Sequence, residues 1–140
     1  MLKLVICKKG YKMLNTVLDT RHKIVTLQPH GALKKEDFDN AVEIIDPFIK
    51  EHGKLNGLII YTESFPGWED FAAFNRHLVF IKNHHKEIKK LALVTNSMVG
   101  DFGEMVSSHF VDATIKNFDY DKLDDARDWI VDAVSVEIEN

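Results

Sequence analysis

The chain has a single cysteine, Cys7, so no disulfide can form within it, and a free thiol fits a reducing compartment. It has no basic excess. With 18 lysines and arginines against 22 acidic residues its formal net charge is -4, which argues against nucleic-acid binding by phosphate neutralisation. Lysine pairs at Lys8-Lys9, Lys34-Lys35 and Lys89-Lys90 read as solvated strand and helix ends. No apolar run approaches the roughly 20 residues that span a bilayer. Met1–Cys7 lacks the long apolar region and small-residue cleavage site of a signal peptide. These absences lead to the expectation of a cytoplasmic protein without a transmembrane segment.

Chemical motifs are missing too. There is no GxGxxG, no GxxxxGK[ST], no HExxH, no paired-cysteine zinc motif and no G-x-S-x-G elbow. Cys7 has no evident catalytic partner. The histidines do not converge: His84 and His85 point about 100° apart on a helix, and His77 and His84 lie two turns apart, roughly 10 Å, too far to share one ion. The run Asp119, Asp121, Asp124, Asp125 and Asp128 lacks the glycine and terminal glutamate of a calcium loop and reads as capping and a solvated helix face. The expectation is no catalytic residue, no metal and no cofactor.

What is present is a core. Hydrophobic residues make up 45% of 140 residues, enough for one domain, expected to run 1–140. Met13, Leu14, Val17 and Leu18 supply a first strand, and Asp19-Thr20-Arg21-His22 supply a turn. A second strand runs Lys23–Gln28, with Val25 and Leu27 on one side and Ile24 and Thr26 on the other, and Pro29-His30-Gly31 ends it. Spacings of three and four among Phe38, Ala41, Val42, Ile45, Phe48 and Ile49 predict a helix over 35–52, stopped by Gly53 and bent at Pro47. The continuous apolar runs Leu58–Tyr61 and Leu91–Val94 read as strands buried on both faces of a parallel sheet, with a helix over 68–84 between them. A helix around 100–109 and a strand over 113–118 follow. The last helix has Asp121 as its expected N-cap and Leu123, Ala126, Trp129, Ile130, Ala133 and Val134 as its apolar face. The order predicts an α/β fold: a mixed, mostly parallel sheet of four or five strands with helices packed on it.

The segment after the central strand is the most informative. Ligands of open α/β sheets favour the loops at the carboxyl ends of parallel strands. Here that loop is Tyr61-Thr62-Glu63-Ser64-Phe65-Pro66-Gly67-Trp68, with two large aromatics around a Pro-Gly turn. Tyr61, Phe65, Trp68, Phe71 and Phe74 are the candidate ligand-binding residues, lining a pocket for a small apolar ligand. On the opposite side of the following helix His77, Phe80 and His84 share a face, the candidate interaction surface for a partner or a homodimer.

Several pieces, in order, carry a family resemblance: Gly31-Ala32-Leu33 with Glu36-Asp37-Phe38, Pro47 within the first helix, His52-Gly53-Lys54, Phe65-Pro66-Gly67-Trp68, Ala92-Leu93-Val94, and Ala126-Arg127-Asp128-Trp129-Ile130. On these the chain resembles the SpoIIAA-like family, bacterial domains of STAS-type fold whose architecture is also compared with CRAL-TRIO (SEC14-type) lipid-transfer domains. The resemblance implies a non-enzymatic binding module with a pocket for an apolar or lipid-like ligand. The alternative it implies is a regulatory STAS domain that binds a partner protein, as anti-sigma-factor antagonists do; an enzyme of unrecognised type is the third reading. In those antagonists a serine in a D-S-[ST]-G motif is phosphorylated. Ser64 stands nearest that place, but the motif around it is missing, and Glu63, Glu69 and Asp70 already crowd the site with negative charge. Lys34 also departs from the pattern, in which a threonine caps the first helix. A lysine side chain cannot accept the helix's N–H groups, so this start is expected to fray.

Overall fold

Alternation and apolar runs in the sequence become one sheet with helices on both faces. A computed structural model describes residues 4–6, 14–63, 85–96 and 114–139. Six strands lie side by side in chain order: β1 (Leu4–Ile6), β2 (Leu14–Asp19), β3 (Ile24–Pro29), β4 (Leu55–Tyr61), β5 (Ile88–Val94) and β6 (Thr114–Phe118). β1, β2 and β3 pair antiparallel, and β3 through β6 pair parallel. The expected mixed, mostly parallel α/β sheet is therefore present. The additional edge strand β1 falls in a stretch that the hydrophobic pattern alone assigned to no strand.

Alternation sorts the side chains of the hairpin. Leu14, Leu18, Val25 and Leu27 face one way and join a core with α1 (Lys35–His52), which presents Phe38, Ala41, Ile45 and Phe48 to it. These four are among the six positions whose spacing predicted the helix, and the other two, Val42 and Ile49, pack at its border. Ile24 points to the opposite face, where it meets Ile59, Ala92 and Val94 beneath α2 (Leu123–Glu139). Strands β4 and β5 are thus covered on both sides, which is why their sequences are continuous apolar runs rather than alternating ones.

The ends of α1 show how the chain compensates for unsuitable residues. Lys34 offers no side-chain cap, but its N–H donates to the buried carboxylate of Asp37, 2.7 Å away. The acidic residue thereby supplies the reciprocal half of a capping box. Pro47 cannot donate to the carbonyl of Glu43; both residues are exposed, so water can satisfy that oxygen, and α1 continues to His52. Gly53 then turns out with φ 85°, a conformation that costs a glycine little, and its N–H closes on the carbonyl of Ile49 at 2.8 Å.

α2 starts later than Asp121 would place it. A turn in which Lys122 N–H bonds to the Asp119 carbonyl uses up that residue, and the first helical acceptor is the carbonyl of Lys122, bonded by Ala126 N–H. Lys122, not Asp121, therefore occupies the cap position. α2 reaches the sheet through Ala126 and Ile130, both with no exposed surface, while Leu123 and Trp129 pack at the border. It lies close over Gly57 of β4, where a Cβ would stand 2.8 Å from Ile130 Cγ2. Only a glycine lets the helix this near.

Candidate functional site

The carboxyl ends of the parallel strands end in similar short polar sequences. β4 runs out as Tyr61-Thr62-Glu63 and β5 as Val94-Thr95-Asn96. Parallel register places Tyr61 beside Val94 and Val94 beside Phe118, so one face of this end forms a row of apolar groups. Beyond the row the strands are laced together. Thr62 N–H donates to Val94 O (3.1 Å), Thr95 N–H to Phe118 O (3.0 Å) and Asn96 N–H to Glu63 O (3.0 Å). The Thr95 hydroxyl also donates to Glu63 O (3.2 Å), and Asn96 Oδ1 accepts the N–H of Tyr120 (3.2 Å). The Glu63 carbonyl thus holds two donors from β5's end, which sets the point where the chain leaves β4.

Tyr61, the one candidate ligand-binding residue among those described, is half-buried at this end. Its ring stacks on Tyr120, centroids 4.8 Å apart and planes 12° apart. The Tyr61 phenol is pushed above its ordinary 10.0, first by its hydrogen bond with Tyr120, then by burial and by the neighbouring phenol's charge. Ser64, Phe65, Trp68, Phe71, Phe74, His77, Phe80 and His84 lie outside the described residues. Tyr120 was not picked out from the sequence, because it stands in the aspartate-rich run that reads as helix capping. The matching Thr62 and Thr95 after two buried strands were a legible sign of a shared edge. Their backbone and side-chain bonds tie the ends of β4, β5 and β6 together.

At the amino end of the parallel strands stands a polar group bonded by four donors, the Asp19 carboxylate. The Asp19 carboxylate is buried, with 1% exposure, on the face covered by α2. One oxygen accepts the N–H groups of Arg21 and His22, both at 3.1 Å. The other accepts His22 Nδ1 at 2.9 Å and the guanidinium of Arg127 at 2.5 Å. Burial, the largest influence, pushes the carboxyl up; the bonds from Arg127 and His22 together outweigh it and hold the group below its ordinary 3.8. An aspartate beside a histidine suggests general-base chemistry. Here every lone-pair direction of the carboxylate is used for holding the hairpin turn to α2, which makes the group a staple. Among the described residues no three His, Cys, Asp or Glu side chains gather as a metal would require, and no helix is long and apolar enough to cross a membrane.

A model of the family described as SpoIIAA-like matches residues 24–131. The chain belongs to the SpoIIAA-like family. The matched stretch opens at Ile24, the first residue of β3, and ends within α2, so the four parallel strands, α1 and the first part of α2 lie in the family's region. The antiparallel strands β1 and β2 precede it. No curated protein and no solved structure matches this SpoIIAA-like chain.

Proposed function

We propose that this SpoIIAA-like chain is a non-enzymatic regulatory module that binds a partner protein through the carboxyl end of its parallel strands. Membership of a family of STAS-type domains over residues 24–131 carries the reading. STAS-type domains work as binding and regulatory modules, which favours protein recognition over an apolar-ligand carrier. The bracing of Glu63 by Thr95 and Asn96 supports it further. Fixing the point where the chain leaves β4 lowers the ordering cost of binding there. The sequence that follows carries Phe65 and Trp68, and large aromatics are the usual anchors of protein interfaces.

The test is affinity capture with the purified chain, comparing wild type with Phe65→Glu and Trp68→Glu, each checked for folding by circular dichroism. A discrete protein retained by wild type and lost by both folded variants is the expected result. Native mass spectrometry of the same preparations separates the ligand-carrier reading: a co-purified lipid, with no protein lost on substitution, would replace the proposal.

A further inference from the structure

Strand β6 is the far edge of the sheet and is unusually wet. Thr114, Lys116 and Asn117 are exposed, and among the described residues β6 has a strand neighbour on one side only. An edge strand offers unpaired N–H and C=O groups to any extended chain that comes alongside. Register puts Thr114, Lys116 and Phe118 on the face that α2 covers, next to Lys90, Ala92 and Val94 of β5.

Two ammonium groups converge there on one indole. Lys90 Nζ lies 4.4 Å from the centre of the Trp129 ring and donates to the Trp129 carbonyl at 3.3 Å. Lys116 Nζ lies 5.1 Å from the Phe118 ring and 5.8 Å from Trp129, and the two rings touch at 5.8 Å. Lys90 is thereby used in bracing Trp129. Lys116 makes only these two ring contacts among the described residues. Asp125 and Asp132 stand one turn to either side of Trp129 on α2, but neither forms an ion pair with Lys116. Cation–π contact near 6 Å is weak, worth roughly 0.5–1 kcal/mol at an exposed site. A carboxylate at Lys116 would add attraction while its stem stays on the rings, and would relieve the repulsion between the two lysines.

We propose that β6 is a second docking edge, which takes up an extended acidic segment of a partner protein as a further strand. Backbone hydrogen bonds run along Thr114–Phe118, a carboxylate meets Lys116, and an apolar side chain on the same face of the segment rests on Phe118 and Trp129. Charge decides for an acidic segment: the overall chain is negative at -4, yet this edge presents Lys116, which forms no ion pair among the described residues. The proposal rests on the register of β6 and the side chains it shares with α2, and not on the function proposed above.

The probe is a labelled, end-blocked seven-residue peptide alternating valine and glutamate, titrated into the full chain by fluorescence polarisation and mapped by amide shifts. Saturable binding is expected, with shifts centred on Thr114–Phe118. Lys116→Glu should weaken it at least tenfold and Lys116→Arg should keep it; both substitutions are on an exposed residue and leave the core untouched. No saturable binding, equal binding of a valine–lysine peptide, or insensitivity to Lys116→Glu overturns the proposal. So does sedimentation showing that the chain itself dimerises and that Lys116→Glu makes it monomeric, since the edge would then belong to a second copy.

Discussion

Arg127 on α2 reaches the buried carboxylate of Asp19, 108 residues earlier in the chain, and ties the last helix to the first hairpin. The tie stretches from a strand that precedes the family-matched region to a helix at that region's end. Arg127→Met removes one of four donors to a buried charge. Because Arg21 N–H, His22 N–H and His22 Nδ1 remain, the expected loss is about 3 kcal/mol, the lower end for breaking a buried pair. Urea unfolding checks it. The pH dependence follows from the depressed carboxyl of Asp19. A group whose folded pKa lies below its unfolded value contributes fully above the unfolded value and loses that contribution as pH falls through the folded one. Wild type should therefore lose stability as pH drops below about 4 more steeply than Asp19→Asn does. Parallel slopes for the two proteins in that range would remove the staple.

The contact between Gly57 and Ile130 gives a second expectation. Gly57→Ala pushes a methyl group into the Ile130 side chain, 2.8 Å and 2.9 Å from Cγ2 and Cγ1. Overpacking of this kind costs about 1–3 kcal/mol. Shortening the opposing side chain should return part of it, so Gly57→Ala with Ile130→Val is expected to lose less than the two single changes summed. A double-mutant cycle on thermal unfolding reads this directly, and strict additivity would mean that the helix can retreat from β4 without cost.

Thr16 faces α1 between Leu14 and Leu18 at 1% exposure, and its hydroxyl has no hydrogen-bond partner among the described residues. A buried hydroxyl without a partner carries a desolvation cost of about 1–3 kcal/mol. Valine keeps the shape and the β-branch and removes that cost. Thr16→Val should therefore raise stability by about 1 kcal/mol, seen as a higher urea midpoint with an unchanged slope.

The stacked tyrosines make the carboxyl-end site visible to spectroscopy. In an absorbance titration one of the three phenols should ionise above the ordinary value, and Tyr120→Phe should bring it back, since the hydrogen bond that Tyr61 donates to Tyr120 is the leading cause. A phenol whose folded pKa is raised stabilises the fold below its unfolded pKa and loses that contribution as pH rises through the folded one. Wild type should accordingly lose more stability than Tyr120→Phe as pH climbs past 10.0. Equal losses would show that the stacking is incidental.

Much of the fold was legible because its signals are local. The period of Phe38, Ala41, Ile45 and Phe48 marks α1 to the residue, and the apolar runs of β4 and β5 identify strands covered on both faces. For β5 the reading was too short because of charge. Lys89 and Lys90 belong to β5, but Lys89 is exposed and Lys90 lays its stem on Trp129, so their polarity hid the strand's first turn of residues. β1 was invisible for a different reason: three residues give no period to count, and their strand identity comes from pairing with β2.

By itself the sequence determined the class of fold, the faces of α1 and the two-sided burial of the central strands, since each follows from side-chain spacing within one element. The tertiary structure alone decided which distant residues meet. Asp19 with Arg127, Tyr61 with Tyr120, Gly57 with Ile130, and Lys116 over Phe118 and Trp129 are contacts between elements. Their partners are chosen by strand register and by how closely α2 lies on the sheet, and neither quantity has a signature in the local order of residues.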